Sequence, residues 1–202
     1  MQLDCLLISP PIFYEDEENI WKEITSNFPP PGLAYLAGFI RAKGHSVKVI
    51  DCNIEAPTVE SFRPFFETNY AQKFSSIKVI GLTAMTCTIK KAYKIVQICK
   101  EYYPQSLVVF GGVHATFVTD EVINNPLVDI AVVGEGEITL GEILEGKKID
   151  EIRGIVFKKP ANQNQYQIIT NPPRERIIDL DSLPMPAYDL FPVLKYKPAI
   201  GS

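Results

Sequence analysis

The chain has 202 residues, 46% hydrophobic and 22% charged, a make-up typical of soluble globular proteins and long enough for one well-buried domain plus an appendage. A net charge of −4 provides no basic face for a nucleic-acid partner. No apolar stretch approaches the length of a membrane span, and Met1-Gln2-Leu3-Asp4 lacks the basic start of a signal peptide, so a cytoplasmic protein without membrane contact is expected.

Leu3 to Ile8 is a short apolar run closed by Ser9-Pro10-Pro11 and reads as a first strand. Ile12 to Phe28 is acidic and aromatic (Phe13, Tyr14, Trp21) without a clean period, and reads as a long loop. Pro29-Pro30-Pro31 leads into a helix whose apolar face is Leu33, Leu36, Ala37 and Ile40, ended by Gly44. Val47 to Ile50 is the second strand, closing at Asp51. A less regular helix, limited by Pro64, spans about Thr58 to Tyr70. The third strand, Lys78 to Leu82, precedes a helix from Ile89 to Tyr102 that buries Ala92, Ile95, Val96 and Cys99 and stops at Pro104. Leu107 to Phe110 is the fourth strand, followed by a short helix through Val118 to Ile123. The fifth, Asp129 to Val133, is followed by a helix from Glu137 to Leu144 that ends at Gly146.

Alternating strands and helices with short loops predict an α/β fold: a doubly wound, five-stranded parallel sheet in flavodoxin-like, Rossmann-like order. That unit occupies 1–150. At 151–171, Gly154-Ile155-Val156-Phe157 and Tyr166-Gln167-Ile168-Ile169 flank a polar tip and read as an antiparallel β-hairpin extension. At 172–202 the chain becomes a proline-rich connector. Six of its sixteen prolines fall between Pro172 and Pro198, which excludes regular helix and favours an extended strap. Its apolar residues, Ile177, Ile178, Leu180, Leu183, Leu190 and Phe191, are too many for a solvated linker, so docking on the sheet domain is expected.

Three strands end in loops of small residues: Thr83-Ala84-Met85-Thr86-Cys87-Thr88, Gly111-Gly112-Val113-His114, and Gly134-Glu135-Gly136-Glu137. The C-terminal strand edge is where open α/β sheets bind ligands. Three familiar ligands fail on position. A flavin mononucleotide site wants backbone donors after the first strand, where Pro10 and Pro11 remove two. A dinucleotide site wants GxGxxG there, and the GxG of this chain follows the fifth strand. A phospho-receiver wants acidic residues where Ser9 and Thr83 stand. What fits is a long, mostly neutral ligand with a nucleotide-like tail, sliding over Gly81, Gly111 and Gly112 and meeting the hydroxyls of Thr83, Thr86 and Thr88.

The four cysteines, Cys5, Cys52, Cys87 and Cys99, have no CxxC or CxxxCxxC spacing and read as buried reduced thiols, with no metal or iron–sulfur site in this chain. Several polar residues carry two readings. His114 either touches a ligand or caps the next helix. Glu135 and Glu137 either serve the site or the helix dipole. Asp51 either faces the ligand or turns the chain, and His45 lies on the opposite edge as a surface residue.

Six segments in order resemble one family. Ser9-Pro10-Pro11, Pro30-Pro31-Gly32-Leu33-Ala34-Tyr35-Leu36-Ala37, Gly81-Leu82-Thr83-Ala84-Met85-Thr86, Gly111-Gly112-Val113-His114-Ala115-Thr116, Gly134-Glu135-Gly136-Glu137 and the tail from Asp179 to Leu190 are similar to the N-terminal cobalamin-binding domain of cobalamin-dependent radical SAM enzymes. That group includes methyltransferases and the anaerobic magnesium-protoporphyrin ester cyclase. The resemblance implies cobalamin (vitamin B12) held by Pro11, Asp51, Thr83, Met85, Thr86, Thr88, Gly111, Gly112, His114, Ala115, Gly134, Glu135 and Gly136, with no catalytic residue in this chain. It also implies a partner in the same polypeptide, a C-terminal radical SAM barrel carrying the 4Fe–4S cluster and S-adenosylmethionine. Two departures shape the expectation. DxHxxG, which supplies a histidine to cobalt in the methionine synthase type, is absent, and the CxxxCxxC cluster motif is missing, so the chain reads as a fragment. The competing reading is a degenerate interaction domain that kept the fold and lost the cofactor.

Overall fold

The computed structural model describes residues 1–12, 28–161 and 165–196. The aromatic segment with Phe13, Tyr14 and Trp21 lies outside the described residues.

Five strands, β1 (Gln2–Ser9), β2 (Val47–Asp51), β3 (Ser76–Thr83), β4 (Leu107–Gly111) and β5 (Ile130–Val132), pair in parallel in the order β2-β1-β3-β4-β5. This is the flavodoxin-like order, with its switch point between β1 and β3. The expected hairpin, β6 (Ile155–Pro160) and β7 (Tyr166–Thr170), forms and joins the same sheet antiparallel to β5, giving seven strands. It thereby covers what would be an open backbone edge on β5, a recurrent hazard of sheets. Val133 N–H donates to the Gly154 carbonyl at 2.9 Å, and Lys158 N–H to that of Asp129 at 3.1 Å.

Seven α-helices are described: α1 (Pro31–Ala42), α2 (Cys52–Glu55), α3 (Val59–Phe66), α4 (Ile89–Tyr102), α5 (Val113–Phe117), α6 (Thr119–Asn124) and α7 (Glu137–Leu144). The bounds of α4 and α7 are those read from the sequence. The helix expected from Thr58 to Tyr70 is instead α3 followed by a π turn, Glu67–Ala71. Thr58 and Ser61 build its capping box. The single helix expected through Val118 to Ile123 is two, α5 and α6, broken at Val118. The one-turn helix α2 was not anticipated. Asp51 starts it by accepting the Asn53 N–H at 3.1 Å, the ordinary work of an Asp N-cap.

Successive strand residues face opposite sides of the sheet. Leu6, Ile8, Ile80, Leu82, Val108 and Phe110 meet α3, α4 and α6 on one side. Cys5, Leu7, Val79, Val109, Ile130 and Val132 meet α1 and α7 on the other. Cys5, Cys52 and Cys99 are buried as expected, whereas Cys87 is exposed on the loop after β3. His45 is half-buried rather than on the surface, with its Nε2 enclosed. Among the described residues no helix is long and apolar enough to cross a membrane.

The strap runs over the α1/α7 face from the hairpin toward β2. Gly154 N–H donates to the Pro172 carbonyl at 2.8 Å, and Arg174 bonds the Thr139 hydroxyl at 2.8 Å while pairing with Glu142. Ala187 N–H then donates to the Ala34 carbonyl on α1 at 2.8 Å, and Phe191 is buried in the core of that face. Tyr196 ends the described run with its hydroxyl donating to Asp51 at 2.8 Å. Docking is therefore real but narrower than expected. Leu190 packs partly and Phe191 fully, while Ile178 is 96% and Leu180 65% exposed. The reason is local. Alternate residues of an extended chain face opposite ways, and Ile177, whose N–H is tied to Glu135 at 2.7 Å, is partly buried where Ile178 is exposed.

Candidate functional site

The α1/α7 side of the sheet carries a run of side-chain-poor positions. Register places Leu7 beside Gly81 and Gly81 beside Val109, and Thr83 beside Gly111. Leu7, Gly81, Val109 and Gly111 share the face to which Val132 of β5 belongs. Above them α1 contributes Gly32, Leu33 and Leu36, and α7 contributes Leu140. The result is a pocket of about 210 Å³ under the C-terminal strand ends, opening at Gly112, Gly134, Glu135 and Gly136. It straddles the switch point and the strands beyond it, where open α/β sheets take their ligands.

The glycines do two different things. At Gly32 a Cβ would meet nothing within 4 Å, and at Gly111 only the Val132 Cβ at 4.0 Å. Side chains at these positions would grow into empty space, so their absence keeps the pocket open. Gly112 is required by the loop itself. Its φ is +88°, and a Cβ would lie 2.6 Å from Thr83 Oγ1. A bulky residue there would strain the β3 and β4 loops before it reached any ligand.

Thirteen residues were expected around a ligand. Thr83, Gly111, Gly112, Gly134, Glu135 and Gly136 line the pocket. The other seven stand on the same strand-end edge but outside it. Thr88 is buried, its hydroxyl accepting the Met85 N–H at 3.0 Å, so it closes the loop on itself. Met85 is exposed on that loop. Thr86 Oγ1 and His114 Nδ1 share a hydrogen bond at 3.0 Å, and His114, a residue of α5, is only 2% exposed. Its Nε2 has no hydrogen-bond partner and lies 3.6 Å from a Glu121 carboxylate oxygen. Ala115 is buried in the core shared with α3, α4 and α6, and Pro11 is buried at the end of β1.

Asp51 does not line the pocket, and it is more than a plain turn. It caps α2 and receives the Tyr196 hydroxyl, so it is where the strap ties back to the sheet. Burial pushes its carboxyl above the ordinary value, against the lowering effect of Tyr196 and Asn53, and burial raises Glu55 beside it as well. Glu135 accepts the Ile177 N–H at the rim. Glu137 at the start of α7 is pushed up by burial, opposed by its own helix's N–H groups and reinforced by Glu135. The residues missed from the sequence are the aliphatic walls, Leu7, Leu33, Leu36, Val109, Val132 and Leu140. Gly32 carried the available signal, since it stands in one of the segments that resemble the family.

The B12 binding domain family model matches residues 20–144. The chain belongs to that family. A relative 34% identical over 96% of this chain is an uncharacterized methyltransferase of Pyrococcus horikoshii, of which the match covers 40%. The anaerobic magnesium-protoporphyrin IX monomethyl ester cyclase of Rubrivivax gelatinosus is 31% identical over 80% of this chain and 29% of its own length. The chain thus spans well under half of each of these relatives. Among solved structures, the radical S-adenosylmethionine methyltransferase TsrM of Kitasatospora setae, described with cobalamin and a 4Fe–4S cluster bound, superposes with a TM-score of 0.66 over 92% of this chain and 31% of that one, at 16% identity. OxsB, a cobalamin-dependent S-adenosylmethionine radical enzyme described with aqua-cobalamin and S-adenosylmethionine bound, gives 0.67 over 93% of this chain and 24% of that one, at 18%. At such identities these likenesses speak for the fold of this B12-binding domain.

Proposed function

We propose that this B12-binding domain holds a cobalamin over its C-terminal strand edge, with the nucleotide tail in the pocket between the sheet, α1 and α7, and presents it to a radical SAM barrel. The observation that carries the reading is the side-chain-free floor and entrance at Gly32, Gly81, Gly111 and Gly134, walled by aliphatic residues. Pockets that enclose a whole drug-sized ligand run to about 300–1,000 Å³. A volume of about 210 Å³ suits one arm of a large ligand whose bulk lies outside. A domain that had lost its ligand would have no reason to keep such a void, which speaks against the degenerate alternative.

Cobalt in a bound cobalamin supplies the capacity to carry a methyl group or to assist radical chemistry. This chain's share is binding and orientation. Gly111 and Gly32 would leave room for the tail, and Glu135 and Gly136 would hold the cofactor at the rim. His114 is tied to Thr86 and buried, and no DxHxxG follows β1, which supports a bound cobalamin without a histidine ligand from that motif. The strap crosses α1 and α7 and returns to Asp51 at the strand-end edge, which supports a barrel on that side of the domain. The 4Fe–4S cluster and S-adenosylmethionine would belong to that barrel, whose presence is supported by the greater length of the relatives. Position matters there because group transfer needs reacting atoms within about 3–3.5 Å.

The test mixes the purified chain with hydroxocobalamin, desalts it and reads the visible spectrum. Retention in stoichiometric amount is expected, and passage of all the colour into the small-molecule fraction refutes the reading.

A further inference from the structure

We infer that the pocket selects among cobamides by their lower base, accepting a dimethylbenzimidazole tail and rejecting a purine one. The inference rests on the cobalamin reading above and adds a specificity to it. Leu7, Leu33, Leu36, Val109, Val132 and Leu140 wall the pocket, and its floor at Gly81 and Gly111 carries no side-chain donor or acceptor.

The carboxylates stand at the rim, on the loop after β5 and the start of α7, and not among the aliphatic walls. Glu135 accepts the Ile177 N–H at 2.7 Å, and Glu137 is held by N–H groups at the start of α7. Among the described lining residues this leaves the Thr83 hydroxyl, pressed against Gly112, as the unclaimed side-chain group nearest the tail.

Dimethylbenzimidazole is a flat bicycle with two methyl groups and one unsubstituted ring nitrogen, so it loses little when walled in by leucine and valine. Adenine brings several ring nitrogens and an exocyclic amine. Each must leave water on entry, and a buried polar group without a partner is unfavourable. An apolar slot rejects added polarity only moderately, by up to about a hundredfold, which sets the scale of the preference expected here.

The experiment measures dissociation constants of the 202-residue chain for cobalamin, its adenine-based counterpart and cobinamide, which lacks the nucleotide tail, by titration monitored in the visible spectrum. Cobalamin is expected to bind at least about tenfold more tightly than the adenine cobamide, about 1.4 kcal/mol, and cobinamide more weakly still. Val132→Thr, which keeps the shape of the wall and adds a hydroxyl, is expected to narrow the gap. Equal affinity for the two cobamides overturns the selectivity. Cobinamide binding as well as cobalamin overturns the placement of the tail. An unchanged or wider gap in V132T shows that the wall does not set the preference. Binding of none of the three refutes the cobalamin reading itself, and the selectivity with it.

Discussion

Gly111→Leu separates the pocket from the fold. Gly111 ends β4 with ordinary backbone, and a Cβ there touches only the Val132 Cβ at 4.0 Å, so the substitution has room and leucine suits a strand better than glycine. Each carbon of the new side chain takes up roughly the 30 Å³ of a water molecule. Its four carbons, about 120 Å³ of side chain, would project into the pocket and obstruct it. A flat bicyclic tail buries on the order of 150 Å², worth about 4 kcal/mol at 25 cal/mol/Å². Excluding it should weaken hydroxocobalamin binding by about a hundredfold or more, while the thermal midpoint stays level or rises. Titration in the visible spectrum alongside a melting curve checks both halves. A folded Gly111→Leu protein with the parent's affinity would show that the pocket is not the binding site.

Three further outcomes follow from the strap and its anchors. Alanine normally favours a helix over glycine by about 1 kcal/mol, yet Gly38→Ala should lower stability, by about 1–3 kcal/mol, because its Cβ would lie 2.4 Å from the Met185 carbonyl of the strap. Gly32→Ala on the same helix, with nothing within 4 Å, should not, and thermal melts that rank the two the other way would disprove the packing. Phe191→Ala removes the apolar anchor of the strap, at about 3–5 kcal/mol if the site cannot collapse. Trypsin should then cut at Arg174, Arg176 and Lys195 in the variant while the parent resists, and rapid cleavage of the parent strap would mean that it is not docked. Asp51 has a carboxyl raised above 3.8 by burial, so its ionisation opposes folding and the associated stability is lost as pH rises through the raised value. The stability of Asp51→Asn minus that of the parent should therefore climb with pH above 3.8, and urea titrations giving a flat or falling difference contradict the assignment.

The parallel sheet was legible because its strands are continuous apolar runs and its principal helices have clear faces and stops. Ile89–Tyr102 and Glu137–Leu144 were read to the residue. Errors fell where a local hydrogen bond competes with periodicity. Asp51 looked like a strand end, but its side chain caps a turn that became α2. Val118 looked like helix, but the Thr119 hydroxyl donates to the Ala115 carbonyl at 2.7 Å across the break between α5 and α6. In the strap, composition said correctly that something docks. It could not say that Phe191 goes in and Ile178 stays out, because that depends on backbone anchors set by the fold, Ile177 N–H on Glu135 for one and Ala187 N–H on Ala34 for the other.

The site divides along the same line. Glycines and hydroxyls at strand ends announce themselves, and six of the thirteen expected residues do reach the pocket. Parity settled the rest. Gly111 belongs to the face of Val109, whereas four residues further on Ala115 has entered α5 and is buried in the core of the other side. A reading by loop groups the two together. The sheet separates them. The walls escaped notice for a different reason, since Leu36, Val132 and Leu140 are core residues in the sequence pattern and in the structure, and only the structure shows that they also border the space under the strand ends. That space is the chemically informative feature, because walls that are mostly aliphatic favour an apolar arm of a ligand over a charged one. The pocket therefore speaks to which part of a large cofactor enters, a question that neither the glycine motifs nor the family match addresses.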